Sequence, residues 1–241
     1  MTPSKDFVIS LSKGAGEILR DGFGKKHQID YKGPIDLVTE IDRQAEDYIV
    51  KRIQDKFPSH SIIAEESGNH TGKKESRWFI DPVDGTSNYA HGLPMFAVSI
   101  AYAENDEMRF GCVYEPIRDE CFFAEKGKGA SLNEKPIHVS STKSLIHAML
   151  VTGFPYDIQK KNDNIVHFTN IVREVHSIRR LGSAALDLVY VAAGRLDAYW
   201  EIEIYPWDIA AGTLIIEEAG GKVTTYHNDP NYMRPPYDVI A

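Results

Sequence analysis

Asp81 and Asp84 stand three residues apart in the run Asp81-Pro82-Val83-Asp84-Gly85-Thr86. Pro82 stiffens the turn between them, and Gly85 permits a backbone that a side chain would block. Such a turn can aim two carboxylates and a main-chain carbonyl at one point. That is an all-oxygen donor set of the kind magnesium takes. The absence of histidine from these positions argues against zinc. Taken alone, Asp-Pro-x-Asp-Gly also reads as a capped turn. Further acids matter for where they sit: Asp36, Asp42, Glu65, Glu66, Glu201 and Asp208. Asp81 follows Trp78-Phe79-Ile80, and Asp208 lies between Trp207 and Ile209-Ala210-Ala211. A carboxylate set in apolar sequence is costly unless something compensates it, and a divalent cation does so. Each acid has a plainer reading too. Asp42 can cap a helix, Glu65 and Glu66 can be solvated, and Asp208 suits a helix N-terminus. Together these readings are harder to hold.

Periodicity predicts the elements that position these residues. Phe7, Val8, Leu11, Ala15, Ile18 and Leu19 form a first helical stripe. A second helix starts at Thr39, with Asp42 as a shortened capping box, and carries Ile41, Ala45, Ile49, Ile53 and Phe57 up to Pro58. Residues 61–64 and 77–80 read as strands, the second running directly into Asp81, with a polar loop over 69–75 between them. Residues 96–103, 108–114 and 120–125 predict an antiparallel meander. Lys126-Gly127-Lys128-Gly129 is a turn, lacking the spacing of a phosphate loop. The second half alternates. Strands are predicted at 147–152, 177–179, 196–200 and 222–226. Helices are predicted around Ile165 to Val175, from Gly182-Ser183 to Gly194, and from Asp208 to Ala219. This divides the chain into an N-terminal α+β lobe, 1–139, and a C-terminal α/β lobe, 140–241, within one family domain.

The formal net charge of −8 over 241 residues argues against a nucleic-acid partner, which needs a basic footprint. It is compatible with a small phosphorylated substrate, because bound metals supply a local positive field. The only two cysteines, Cys112 and Cys121, read as small core residues. The N-terminus lacks signal-peptide character, and no apolar run is long enough to span a membrane. A cytoplasmic protein is expected.

The sequence resembles the inositol monophosphatase family. One signature reads Trp78-Phe79-Ile80-Asp81-Pro82-Val83-Asp84-Gly85-Thr86-Ser87-Asn88. A second reads Pro206-Trp207-Asp208-Ile209-Ala210-Ala211-Gly212, followed by Glu218-Ala219-Gly220-Gly221. Asp36-Leu37-Val38-Thr39-Glu40-Ile41-Asp42, Ile62-Ile63-Ala64-Glu65-Glu66 and Gly182-Ser183-Ala184-Ala185 match in order and spacing. The resemblance implies an α+β, layered αβαβα sandwich of the sugar-phosphatase type. It implies two to three Mg2+ per active site, held by Glu65, Asp81, the Val83 carbonyl, Asp84 and Asp208. Asp42, Glu65 and Thr86 would be catalytic, with Thr86 and Asp42 orienting a metal-activated water. Asp84, Gly85, Thr86, Gly182, Ser183, Ala184, Glu201 and Asp208 would face the substrate. Lithium inhibition and a homodimer are implied as well. Relatives continue past the point where this chain stops, Val239-Ile240-Ala241, so a truncated or unusually short member is expected.

Inositol 1-phosphate is the leading substrate. Fructose 1,6-bisphosphate, NADP and 3′-phosphoadenosine 5′-phosphate are alternatives within the same superfamily. Glu201 favours a neutral polyol, since a carboxylate repels a second phosphate; a basic residue in the same space would reverse that. Residues 154–157 and Arg179 are the other candidates for setting this choice. A different class of function is a non-enzymatic RNA or transcription partner, motivated by Arg179-Arg180. This pair, just before the substrate loop, could also contact phosphate or a subunit partner, and its plainer reading is a surface or interface pair. Lys32 lies near Asp36, and His91 reads as a loop residue.

Overall fold

The computed structural model describes residues 1–25, 29–31, 37–154 and 163–241. Asp36, Lys32 and residues 155–157 therefore lie outside the described residues. Helix α1 (Lys5–Gly22) is capped by Ser4, whose Oγ accepts from the Phe7 N–H. Helix α2 (Glu40–Lys56) starts with a complete capping box. Thr39 Oγ1 accepts from the Ile41 N–H at 3.2 Å, and Asp42 Oδ2 accepts from the Thr39 N–H at 3.0 Å. The remaining helices are α3 (Thr86–Ala90), α4 (Asp163–Ile171), α5 (Ala184–Ala192) and α6 (Pro206–Glu218).

Strands β1 (Ile29–Tyr31) and β2 (Leu37–Thr39) pair ahead of α2. The next eight form one sheet: β3 (His60–Ala64), β4 (Gly68–His70), β5 (Lys73–Asp84), β6 (Ala97–Glu104), β7 (Glu107–Glu115), β8 (Glu120–Glu125), β9 (Ala130–Leu132) and β10 (Lys135–Pro136). Their order is β10-β9-β8-β7-β6-β5-β3-β4, antiparallel except for β3 beside β5. A second sheet holds β11 (Met149–Thr152), β12 (Ser177–Arg179), β13 (Ala198–Glu201) and β14 (Val239–Ile240), in the order β12-β11-β13-β14.

The two-residue period of the strands sorts side chains into layers. Trp78 and Ile80 of β5 join Val8, Leu11, Ala45 and Ile49 of α1 and α2 on one face of the large sheet. Phe79, between them, joins the core around α5 and α6 on the other face. In the small sheet, Val151 and Tyr199 face that same central core. Leu150 and Trp200 pack outward with Phe168 and Ile171 of α4. The result is the αβαβα layering. Asp81 follows Phe79 by two along β5, which puts it on the sheet face covered by α6.

Some local expectations differ from the structure. The polar stretch 69–75 is not a plain loop. Gly68–His70 pairs with β3 at the sheet edge, and β5 begins at Lys73. An edge strand needs no apolar side chains, so hydropathy does not announce it. Residues 222–226 give only an isolated bridge, Thr224 to Ile240, because β14 takes the edge of β13. Cys112 and Cys121 are free, buried thiols. Among the described residues, no helix is long and apolar enough to cross a membrane.

Candidate active site

Pairing between β5 and β6 breaks register between Asp81 and Asp84, so the strand bulges where the motif lies. Within the bulge, the Val83 N–H donates to Asp81 Oδ1 at 2.9 Å. Asp208 occupies the first turn of α6, and its Oδ2 accepts from the Tyr205 N–H at 3.1 Å. Asp84 is met by the start of α5: Ser183 Oγ and the Ala185 N–H donate to its Oδ2 at 2.7 and 2.5 Å, and the Ala184 N–H donates to its Oδ1 at 3.3 Å. Bulge, α5 and α6 thus converge. One carboxylate oxygen each from Asp81, Asp84 and Asp208 lies within 4.8 Å of the others. Glu65, just past β3, is drawn alongside by its N–H bond to the Ile80 carbonyl at 3.1 Å.

The electrostatics follow from this crowding. Burial, then repulsion from Glu65, Asp84 and Asp208, pushes Asp81 well above the usual carboxylate range. Asp208 is raised for the same reasons, burial first and then Asp84 and Glu65. Asp84 is pushed up to about 6 by burial, against the bonds from Ser183, Ala185 and Ala184. A divalent cation relieves both costs at once, and the donor set, all oxygen, matches a hard cation such as magnesium. The residues present therefore fit a divalent metal.

Thr86 opens α3, and its hydroxyl lies 2.9 Å from Asp42 Oδ1 and 3.0 Å from the Val83 carbonyl. A hydroxyl has one proton, so it donates to one of the two at a time. Asp42 is fully buried and reaches the site through Thr86; burial raises its carboxyl despite bonds from Thr39 and Thr86. Gly85 has φ +99°, and a Cβ there would stand 2.8 Å from the Met95 carbonyl oxygen. Asn88 holds the loop opposite, donating from Nδ2 to the carbonyls of Met95 at 2.7 Å and Leu181 at 2.8 Å.

Glu201 ends β13. Tyr199 Oη donates to its Oε2 at 2.7 Å, and Gly153 leaves the room it occupies, since a Cβ there would fall 2.1 Å from Oε2. Burial, with Asp84 adding, pushes Glu201 up to about 7; Tyr199 and Arg180 oppose the rise. Glu65, Asp81, Val83, Asp84, Gly85, Thr86, Gly182, Ser183, Ala184, Glu201 and Asp208 all line one cleft of about 210 Å³. Asp42 stands behind it, and Arg179, a candidate for setting substrate choice, does not line it.

Two further residues line it, one of which, Asp187, was not singled out from the sequence. Of the pair Arg179-Arg180, read as a phosphate contact or a surface or interface pair, Arg180 alone reaches the cleft, beside Phe154, its guanidinium 6.0 Å from the ring centroid. Asp187 lies on α5 inside the apolar run Ala185-Leu186-Asp187-Leu188-Val189, the same signal that marked Asp81. Its Oδ1 is buried without a hydrogen-bond partner. His91 stays in its loop, with Nδ1 2.8 Å from the Ser87 carbonyl oxygen.

The Inositol monophosphatase family model matches residues 1–241. The chain is 47% identical over 220 residues to the inositol-1-monophosphatase of Synechocystis sp., covering 90% of this chain and 76% of the relative. It is 40% identical over 245 residues to the Nus factor SuhB of Pasteurella multocida, covering 100% of this chain and 92% of the relative. The crystal structure of extragenic suppressor protein suhB from Bartonella henselae superposes with a TM-score of 0.93 at 38% identity, over 98% of this chain and 92% of that one. The αβαβα fold and the acidic cluster define a metal-dependent phosphomonoesterase, and the chain belongs to the inositol monophosphatase family.

The same relatives correct one expectation. The name Nus factor SuhB recurs in four more of them, at 39–42% identity. The exclusion of a nucleic-acid partner on net charge is therefore withdrawn. The physical reason is that −8 is a sum over the chain, with carboxylates gathered in the cleft included, whereas a partner meets a local patch.

Proposed function

We propose that the chain hydrolyses myo-inositol 1-phosphate to myo-inositol and phosphate. The observation that carries this reading is the shared cleft, in which the Asp81, Asp84 and Asp208 carboxylates and Glu201 face the same space. Glu65, Asp81, the Val83 carbonyl, Asp84 and Asp208 would hold two to three Mg2+. When bound, these ions supply Lewis acidity and neutralise phosphate charge. The protein's own groups do the rest. Thr86, polarised by Asp42, accepts a hydrogen bond from the attacking water and holds it against phosphorus. The Gly85 and Thr86 amides meet the phosphate oxygens. Glu201, fixed by Tyr199, accepts from polyol hydroxyls. Lithium inhibits by competing for a magnesium position.

Arg180 favours a second reading of the substrate. It stands in the same cleft as Glu201, so a second anionic group has a partner there. That brings fructose 1,6-bisphosphate, NADP and 3′-phosphoadenosine 5′-phosphate back into contention. A phosphate-release panel over these four compounds with Mg2+ separates the readings. Inositol 1-phosphate is the best substrate on the first. On the second, a bisphosphorylated or nucleotide substrate leads and Arg180→Ala selectively removes that preference.

A further inference from the structure

Helix α2 touches the site region twice. The first contact is Asp42, on Thr86. The second is Glu46, four residues on and so on the same face of the helix. Glu46 is only 2% exposed. Its Oε2 accepts from the Glu66 N–H at 2.8 Å, and its Oε1 accepts from the Ser67 N–H at 2.6 Å. Both oxygens therefore grip consecutive amides of the turn that leaves β3, directly after Glu65. A buried carboxylate is retained where charge-assisted bonds compensate its desolvation, and two such bonds do so here. On its other side Glu65 is fixed by the N–H bond to Ile80, the residue before Asp81. The Glu65 backbone is thus held between β5 and α2.

We propose that Glu46 is a positioning residue for the metal site: it locks the turn that presents the Glu65 carboxylate to the Asp81 cluster. Without this grip the Glu66 and Ser67 amides lose their buried acceptors, and the turn between Ala64 and Gly68 that sets the approach of Glu65 loosens. The inference rests on the metal reading of the acidic cluster. Partners behind metal ligands set affinity by roughly 10- to 100-fold, which gives the size of the expected effect.

The test compares wild type, Glu46→Gln, Glu46→Asp and Asp81→Asn. Glu46→Gln turns an amide NH2 toward a backbone N–H. Glu46→Asp keeps the charge but is one methylene short. Mn2+ affinity is read by electron paramagnetic resonance of the free ion, and hydrogen exchange reads the amides of Glu66 and Ser67. Both Glu46 variants are expected to bind Mn2+ roughly 10-fold more weakly or worse, with faster exchange confined to those amides. The Mg2+ concentration for half-maximal phosphate release should rise by a similar factor, with kcat at saturating Mg2+ little changed. A merely structural role lowers the folded fraction and leaves the metal dependence of the folded protein alone. Folded Glu46 variants with wild-type Mn2+ affinity overturn the proposal while leaving the metal reading intact. Wild type that binds Mn2+ no better than Asp81→Asn overturns both.

Discussion

Asp84 faces two ways, toward Asp81 and Asp208 and toward the first amides of α5. Asp84→Asn keeps the shape but gives up a charge that a cation needs. Its phosphatase activity should fall by at least about 100-fold, the upper end of what loss of an outer-shell partner costs; phosphate release at saturating Mg2+ measures it. Thr86 predicts a sharper split. Thr86→Ser keeps the hydroxyl bonded to Asp42 and should retain most activity, whereas Thr86→Ala should lose kcat by roughly 10²- to 10⁴-fold, the range for a positioned proton acceptor. Glu201 predicts a pH effect on the metal-free protein. Its carboxyl moves from 4.5 up to about 7 on folding. Across that window the folded state keeps a proton that the unfolded state has released, so stability falls as pH rises. Glu201→Gln removes this contribution. Unfolding in chelator at about pH 5 and about pH 7.5 should show a shallower loss for the variant. Asp81 and Asp208 were legible in the sequence because an acid amid apolar residues is anomalous, whereas Glu65, Asp84 and Glu201 were marked by motif and resemblance. Asp187 carried the same signal and went unread. Arg180 carried a weaker signal, its place just before Gly182-Ser183, which suited a phosphate contact and a surface pair alike until the fold turned it into the cleft.

At the scale of elements, the site is an intersection of starts: α2, α3, α5 and α6 all begin near it. Gly85 makes one of these starts possible. Gly85→Ala forces a side chain into φ +99° against the Met95 carbonyl and should destabilise the fold by roughly 1–3 kcal/mol, as read by urea unfolding. The helix caps were legible, Thr39 with Asp42 above all, because capping acts over three residues and leaves its mark in local sequence. The meander β6-β7-β8 was legible from three strand-like runs separated by the turn sequences Asn105-Asp106 and Pro116-Ile117-Arg118-Asp119. The grip of Glu46 on Glu66 and Ser67 was not, because it spans twenty residues and needs α2 already docked on the sheet. The edge strand β4 escaped for the opposite reason: its Gly-Asn-His sequence has no apolar face to reveal.

For the whole molecule, the layering places α6 between two sheets and brings β13 within reach of the bulge in β5, so Glu201 and Asp81 share a cleft though 120 residues separate them. Net charge proved a poor guide to partners, because it averages a surface whose carboxylates have a local task. A cation at this junction should tie the layers together. With Mg2+ at about 100 times its dissociation constant, the free energy of unfolding should rise by about 2.7 kcal/mol, and calorimetry should find no such rise for Asp81→Asn. The central claim is that the Asp81, Asp84 and Asp208 cluster makes this chain a metal-dependent phosphomonoesterase. Phosphate released from inositol 1-phosphate by wild type and by Asp84→Asn, with Mg2+ and with chelator, tests it most directly. Release by wild type that requires Mg2+ and collapses in Asp84→Asn is the predicted result; release that is the same in both proteins and indifferent to chelator would contradict it.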